Sequence, residues 1–120
     1  MRKITLVLGA SENPQRYSYL AIRKLTDQGH TVVAIGKKEA KVNDVQIVTN
    51  MPSIPGIHTV TLYLNAQNQK PYYDYILDLN PERIIFNPGA ENPELILLAR
   101  EKDIPTLEAC TLVMLSTNQY

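Results

Sequence analysis

Short apolar runs alternate along the chain with longer stretches in which apolar residues return every third or fourth position. Ile4-Thr5-Leu6-Val7-Leu8 is compact and rich in branched side chains, as in a strand covered on both faces. Ser18, Ala21, Ile22 and Leu25 then recur at helical spacing, and Gly29 stands where a C-terminal cap belongs. Thr31-Val32-Val33-Ala34-Ile35 is a second covered strand. A strand–helix–strand opening predicts a parallel pair joined by a right-handed crossover.

The alternation continues. Val45-Gln46-Ile47-Val48 reads as a short extra strand at a sheet edge, because the connection into it is too short for a full crossover helix. Met51 to Gly56 reads as a loop with room for one helical turn, and Thr59 to Leu64 as the next strand. From Pro71, the residues Tyr72, Tyr75, Ile76 and Leu79 form one helical face, stopped by Asn80-Pro81. Arg83-Ile84-Ile85-Phe86 is a strand. Asn92-Pro93-Glu94 carries a cap residue, a first-turn proline and an acid at the positive end of a helix that runs to about Lys102. Ile104 to Ala109 closes the series as a strand that tolerates Pro105 at its start. The pattern predicts an α/β fold: a Rossmann-like, doubly wound, mostly parallel sheet of five or six strands with helices on both faces.

A length of 120 residues fits one domain, 1–120, and 44% hydrophobic with 20% charged residues is a composition that folds. Twelve basic side chains balance twelve acidic ones, so no overall field draws the protein to nucleic acid or to an anionic membrane, and any anion site must be local. A single cysteine, Cys110, excludes an internal disulfide and an all-cysteine metal cluster within one chain. No apolar run approaches the ~20 residues of a membrane span. The opening Met1-Arg2-Lys3-Ile4 resembles a signal peptide only until Gly9 ends the apolar run, so the chain reads as cytoplasmic.

Open α/β sheets bind ligands beyond the carboxyl ends of their strands. That rule selects the segments 9–17, 36–41, 65–68 and 87–92. In the first, Gly9, Ala10 and Ser11 are small enough to let the backbone approach a bulky anion, the following helix offers free N–H groups, and Arg16 adds a planar cation suited to phosphate. The second decides between cofactors. An NAD site wants an acid at the end of the second strand, where this chain has Gly36-Lys37-Lys38, so the phosphorylated riboses of NADP and of coenzyme A both gain. The fourth, Asn87-Pro88-Gly89-Ala90-Glu91-Asn92, has a rigid turn and an asparagine able to bond a ligand amide or a ribose. Asn65-Ala66-Gln67-Asn68 supplies amides without charge.

Other chemistries fail by absence. The first strand lacks the aspartates of a phosphoacceptor domain, and no G-K-[ST] follows the early glycine. His30 and His58 precede strands and so fall at the wrong end of the sheet, and no histidine can be placed beside Cys110. The sequence therefore assigns no catalytic residue and no metal site, Cys110 stands as the one candidate thiol, and binding is favoured over catalysis without being decided. Tyr17, Tyr19, Tyr72, Tyr73 and Tyr75 read as helix packing, with an exposed subset able to mark a homodimer surface.

Taken in order, Leu8-Gly9-Ala10-Ser11, Asn13-Pro14, Arg16-Tyr17-Ser18, Gly29-His30, Phe86-Asn87-Pro88-Gly89-Ala90-Glu91-Asn92 and Cys110 before Leu112-Val113-Met114 resemble the small stand-alone CoA-binding domain proteins of bacteria and archaea. These are similar to the CoA-binding domain of the succinyl-CoA synthetase α subunit. The resemblance implies that coenzyme A is held by its nucleotide end. Gly9, Ala10 and Ser11 would line the phosphates beside Arg16, Lys37 would lie near the phosphorylated ribose, Asn65 and Ala66 would flank the adenosine, and Asn87, Pro88 and Gly89 would border the pantetheine arm. Two loops depart from the family pattern, with Gly36-Lys37 in place of an Asn-Pro pair and Asn65-Ala66 in place of prolines. The synthetase reaction needs a phosphorylated histidine in a second domain, which this chain does not supply. The readings left standing are a binding or regulatory module for CoA or acyl-CoA, an NADP-linked or Cys110-dependent thioester enzyme, and a domain turned interaction surface.

Overall fold

The structure is a computed structural model that describes residues 3–120; Met1 and Arg2 of the opening run lie outside the described residues. The strands are β1 (Ile4–Ala10), β2 (Thr31–Gly36), β3 (Ala40–Val42), β4 (Val45–Val48), β5 (Thr59–Leu62), β6 (Arg83–Phe86) and β7 (Thr106–Glu108). The helices are α1 (Tyr17–Asp27), α2 (Ala66–Gln69), α3 (Tyr73–Leu79), α4 (Pro93–Glu101) and α5 (Thr111–Ser116), with a single 3-10 turn at Lys70–Tyr72. The sheet has seven strands in the order β3-β4-β2-β1-β5-β6-β7, one or two more than the hydrophobic pattern predicts. All neighbours are parallel except β3, which pairs antiparallel with β4. With β3 set aside, the order is that of the doubly wound dinucleotide-binding sheet.

β4 is therefore not the edge strand that its sequence suggests. Chain leaving β2 passes to the edge as β3, turns at Asn43-Asp44 and returns as β4 alongside β2. Asn43 takes the left-handed conformation (φ 52°) in that turn, which asparagine tolerates better than most residues. The hairpin replaces a crossover helix with only a few residues.

Side-chain alternation gives the sheet its two covered faces. Leu6, Leu8, Val60, Leu62, Ile84 and Phe86 form one core with Ile76 of α3 and Leu95 and Ala99 of α4. Val7, Ala34 and Ile47 form the other with Ile22 and Leu25 of α1 and Leu115 of α5. The α1 residues that the helical spacing selects, Ser18, Ala21, Ile22 and Leu25, are the ones it buries, and each of the two larger side chains contributes roughly 1.5–3 kcal/mol by leaving water. Gly29 (φ 85°) ends the helix. Its N–H donates to the Thr26 carbonyl and the His30 N–H to the Leu25 carbonyl, both at 3.0 Å, which satisfies two orphan acceptors.

Residues 49–58 connect β4 to β5 without a helix, and the turn anticipated between Met51 and Gly56 is not helical. Ile57 is buried in the first core, Ile54 packs against it, and the Tyr75 hydroxyl donates to the Pro52 carbonyl at 2.7 Å. One part of the sheet departs from apolar cover. The side of β5 that faces α5 carries the buried Thr59 and Thr61, and Thr61 Oγ1 lies 2.8 Å from Thr111 Oγ1. The α5 helix thus rests on hydrogen bonds as well as on Leu115.

Candidate functional site

Sheet order reverses between β1 and β5, and the loops leaving those strands meet at the carboxyl edge. Gly9 has φ 95°, and a Cβ on it would press to 3.1 Å against both the Tyr63 backbone carbon and the Leu64 side chain. The β1 turn can lie this close to the end of β5 only without a side chain. One residue on, Ala10 pairs with Gly36 at the end of β2, and a Cβ on Gly36 would collide with the Ala10 carbonyl oxygen. Glycine at these two positions lets adjacent strand ends pack directly against one another.

Beyond Ala10 the chain turns outward. Ser11 Oγ accepts from the Asn13 N–H, Asn13 Oδ1 from the Gln15 N–H, and the Asn13 carbonyl from the Arg16 N–H, all at 3.0 Å. These local bonds shape a turn with Pro14 inside it. Arg16 occupies the N-cap position of α1, where no side chain accepts from the first turn and no acid stands within it. The first-turn N–H groups of α1 are left for solvent or a ligand, at the positive end of the helix. Three other helix starts differ, those of α2, α4 and α5. Asn65 Oδ1 accepts from the Asn68 N–H at 2.9 Å, Asn92 Oδ1 from the Leu95 N–H at 3.2 Å, and Asn87 Oδ1 from the Thr111 N–H at 2.8 Å.

The loops after β1 and β2 carry three cations, Arg16, Lys37 and Lys38. Lys38 Nζ lies 3.2 Å from the Glu12 carboxylate, which ties the loop after β2 to the loop after β1. Both partners are largely exposed, so the pair marks adjacency more than it adds stability. Lys37 and Arg16 are exposed and belong to no ion pair among the described residues. Lys41, counted with the second loop in the sequence, lies instead on the edge strand β3.

The third and fourth segments are more ordered than their sequences suggest. Asn65-Ala66-Gln67-Asn68 is the capped start of α2 rather than a loop, and Asn65 spends its side-chain oxygen on the cap. In the fourth, the Ala90 N–H donates to the Asn87 carbonyl at 2.8 Å, and Gly89 has φ 92°. Proline followed by a left-handed glycine is the signature of a type II turn. The Gly89 N–H points to the Glu91 carboxylate at 3.0 Å. Asn87 itself is 2% exposed. Its Nδ2 donates to Thr61 Oγ1 at 2.7 Å and the Leu62 carbonyl at 2.9 Å, in addition to the bond that Oδ1 receives from Thr111. An asparagine expected to offer its amide to a ligand keeps that amide inside, where it holds β5 and α5 together.

His30 and His58 sit at the opposite edge. The Lys3 N–H donates to His30 Nδ1 at 3.1 Å, and His58 Nδ1 lies 2.7 Å from Thr59 Oγ1. Burial holds both imidazoles below the ordinary histidine value. For His30 the charge of Lys3 adds to the effect, and for His58 that of Arg83 adds to it while Glu82 opposes it. Cys110 is half-buried just before α5, on the ligand side. Nearby, burial raises the Tyr63 phenol well above its usual range. Among the described residues no group of three or more His, Cys, Asp or Glu side chains is placed to hold a metal. No helix there is long and apolar enough to cross a membrane. The fully buried Gln69 belongs to this edge as well, and nothing in a polar Asn-Gln stretch distinguishes it beforehand.

A family model described as a CoA binding domain matches residues 3–116. A crystal structure of an uncharacterized protein is 46% identical over 100% of this chain and 99% of its own, with a TM-score of 0.96. A protein from Thermus thermophilus (19% identity, 99% of this chain and 91% of its own, TM-score 0.86) shares the fold. So does a hypothetical protein from Pyrococcus horikoshii (22%, 97% and 82%, TM-score 0.84). No curated protein matches the sequence.

Proposed function

The chain belongs to the CoA-binding domain family, and from that membership we propose that it binds coenzyme A or an acyl-CoA by the nucleotide end and does no chemistry on it. The observation that carries this reading is the uncapped first turn of α1 beyond the Gly9 turn, which packs tightly against the end of β5. Backbone N–H groups at a helix start suit a diphosphate, and the small residues of the preceding turn keep bulky side chains away from it. Gly9, Ala10 and Ser11 line the phosphates, and Arg16 reaches over them. Lys37, next to the Gly36 that pairs with Ala10, faces the phosphorylated ribose. Asn65 and Ala66 flank the adenosine. Pro88 and Gly89 border the pantetheine arm, with Asn87 acting through its backbone and through the frame its side chain holds. Both histidines lie at the far edge of the sheet, so neither accompanies Cys110 as a base, and this supports binding rather than catalysis.

Calorimetric titration with CoA tests the proposal. Saturable binding is expected, weakened about tenfold in Arg16→Ala and in Lys37→Glu through loss of a charge-assisted contact to phosphate. Absence of heat at millimolar CoA, or tighter binding of NADPH than of CoA, overturns it.

A further inference from the structure

Gln69 is 0% exposed and stands between two of the loops that build the site. Its Nε2 donates to the Leu64 carbonyl at 2.8 Å and to the Ala90 carbonyl at 2.7 Å, while Oε1 accepts from Asn92 Nδ2 at 2.8 Å. Leu64 follows the end of β5 and packs against Gly9, whereas Ala90 closes the Pro88-Gly89 turn. One side chain therefore spans from the β1–β5 seam to the turn beyond β6.

The span is reinforced from outside. Asn92 Nδ2 also donates to the Tyr73 hydroxyl at 2.8 Å, and that hydroxyl donates to the Glu94 carboxylate at 2.9 Å. A buried amide is costly unless its groups are paired. Here both Nε2 protons have acceptors, and the chain of bonds runs to a charged group at the surface. Removing the amide takes away one bond to each of two main-chain carbonyls and one from Asn92 Nδ2 together. The loops that carry Gly9 to Arg16 and Lys37 share no hydrogen bond with this network.

We propose that Gln69 is a positioning residue for the arm side of the site, fixing the distance between the Pro88-Gly89 turn and the seam where the nucleotide binds. This role rests on the CoA reading. It predicts a split: disturbing Gln69 loosens the hold on the whole of CoA more than the hold on the nucleotide portion, which keeps Arg16 and Lys37 outside the network although Asn65 and Ala66 adjoin it. A residue that served stability alone would weaken both ligands together.

The experiment compares calorimetric affinities for CoA and for adenosine 3′,5′-bisphosphate, which lacks the arm, in the wild type and in Gln69→Leu, with thermal midpoints recorded beside them. An affinity loss of about tenfold for CoA and no more than about threefold for the bisphosphate is expected. Gln69→Asn, which keeps the amide but shortens its reach by one methylene, replaces the leucine variant if that one does not fold, and the same split is expected in milder form. Equal losses for the two ligands, or no loss for either, overturn the positioning role while the wild-type binding of CoA leaves the parent reading intact. A wild type that binds neither ligand overturns both.

Discussion

The loop after β1, residues 11–16, is exposed from Glu12 onward and runs into a helix that no side chain caps, whereas the loop after β6, residues 87–92, buries Asn87, Ala90 and Asn92. Both leave the carboxyl edge of the same sheet and both resemble one family pattern. The first uses local bonds to shape its own turn, leaves the first-turn N–H groups of α1 open and carries in Arg16 a cation with no acidic partner among the described residues. The second spends its amides on Thr61, Leu62, Thr111, Gln69 and Tyr73. A binding edge needs both kinds of loop, one to meet the ligand and one to hold the geometry in which it is met.

Substitutions separate the two. Asn87→Ala is expected to cost about 2–4 kcal/mol of stability, because it removes three buried hydrogen bonds, to Thr61 Oγ1, the Leu62 carbonyl and the Thr111 N–H. Urea unfolding measures this, and a loss below about 1 kcal/mol would place the frame elsewhere. Arg16→Asp is expected to act in the opposite sense. An acidic cap on the open turn of α1 stabilises the fold by about 1 kcal/mol while its charge repels the phosphates, so the thermal midpoint rises as CoA binding disappears. A variant both more stable and equally good at binding would show that the open turn is not where the anion sits.

A smaller effect comes from the far edge and sharpens the contrast between edges. His30 and His58 titrate below the ordinary histidine value in the folded chain, so the unfolded chain takes up protons first as the pH falls. Their contribution to stability is whole above about pH 6.5 and declines below it, in the range where free histidine becomes charged. Unfolding followed between about pH 8 and 5.5 should show this slope, and the double variant His30→Gln, His58→Gln should flatten it. CoA affinity at fixed pH should not change in that variant, since neither ring lies near the ligand loops.

Strands covered on both faces are readable because burial there leaves few polar positions, and α1 and the Asn92-Pro93 helix start because their spacing and caps are local. The elements that escape are those whose cause is not local. β3 is three residues, Ala40-Lys41-Val42, with one buried side chain among them. α2 and α5 are short and mixed in polarity, and Thr111 is buried because Thr61 awaits it across the chain. Rules for strand ends locate the candidate site, with Arg16 and Lys37 at its rim. They say nothing about which way an amide points. Asn87 in a turn looks the same in sequence whether it greets a ligand or pins Thr111, because its partners come from 24 to 26 positions away. Gln69 is invisible for the same reason.

The helix-free passage from β4 to β5 divides the chain in an orderly way. β1 to β4 with α1 come before it and lie on one side of the β1–β5 ladder. β5 to β7 with α2 to α5 come after it, so each contiguous half supplies one bank of the proposed cleft. A break or graft between residues 50 and 56 interrupts no strand, and α5 still reaches back to α1 through Lys24 and Gln28. The molecule is built, in effect, as two modules sharing a joint, and a ligand seated in that joint acts as the rivet.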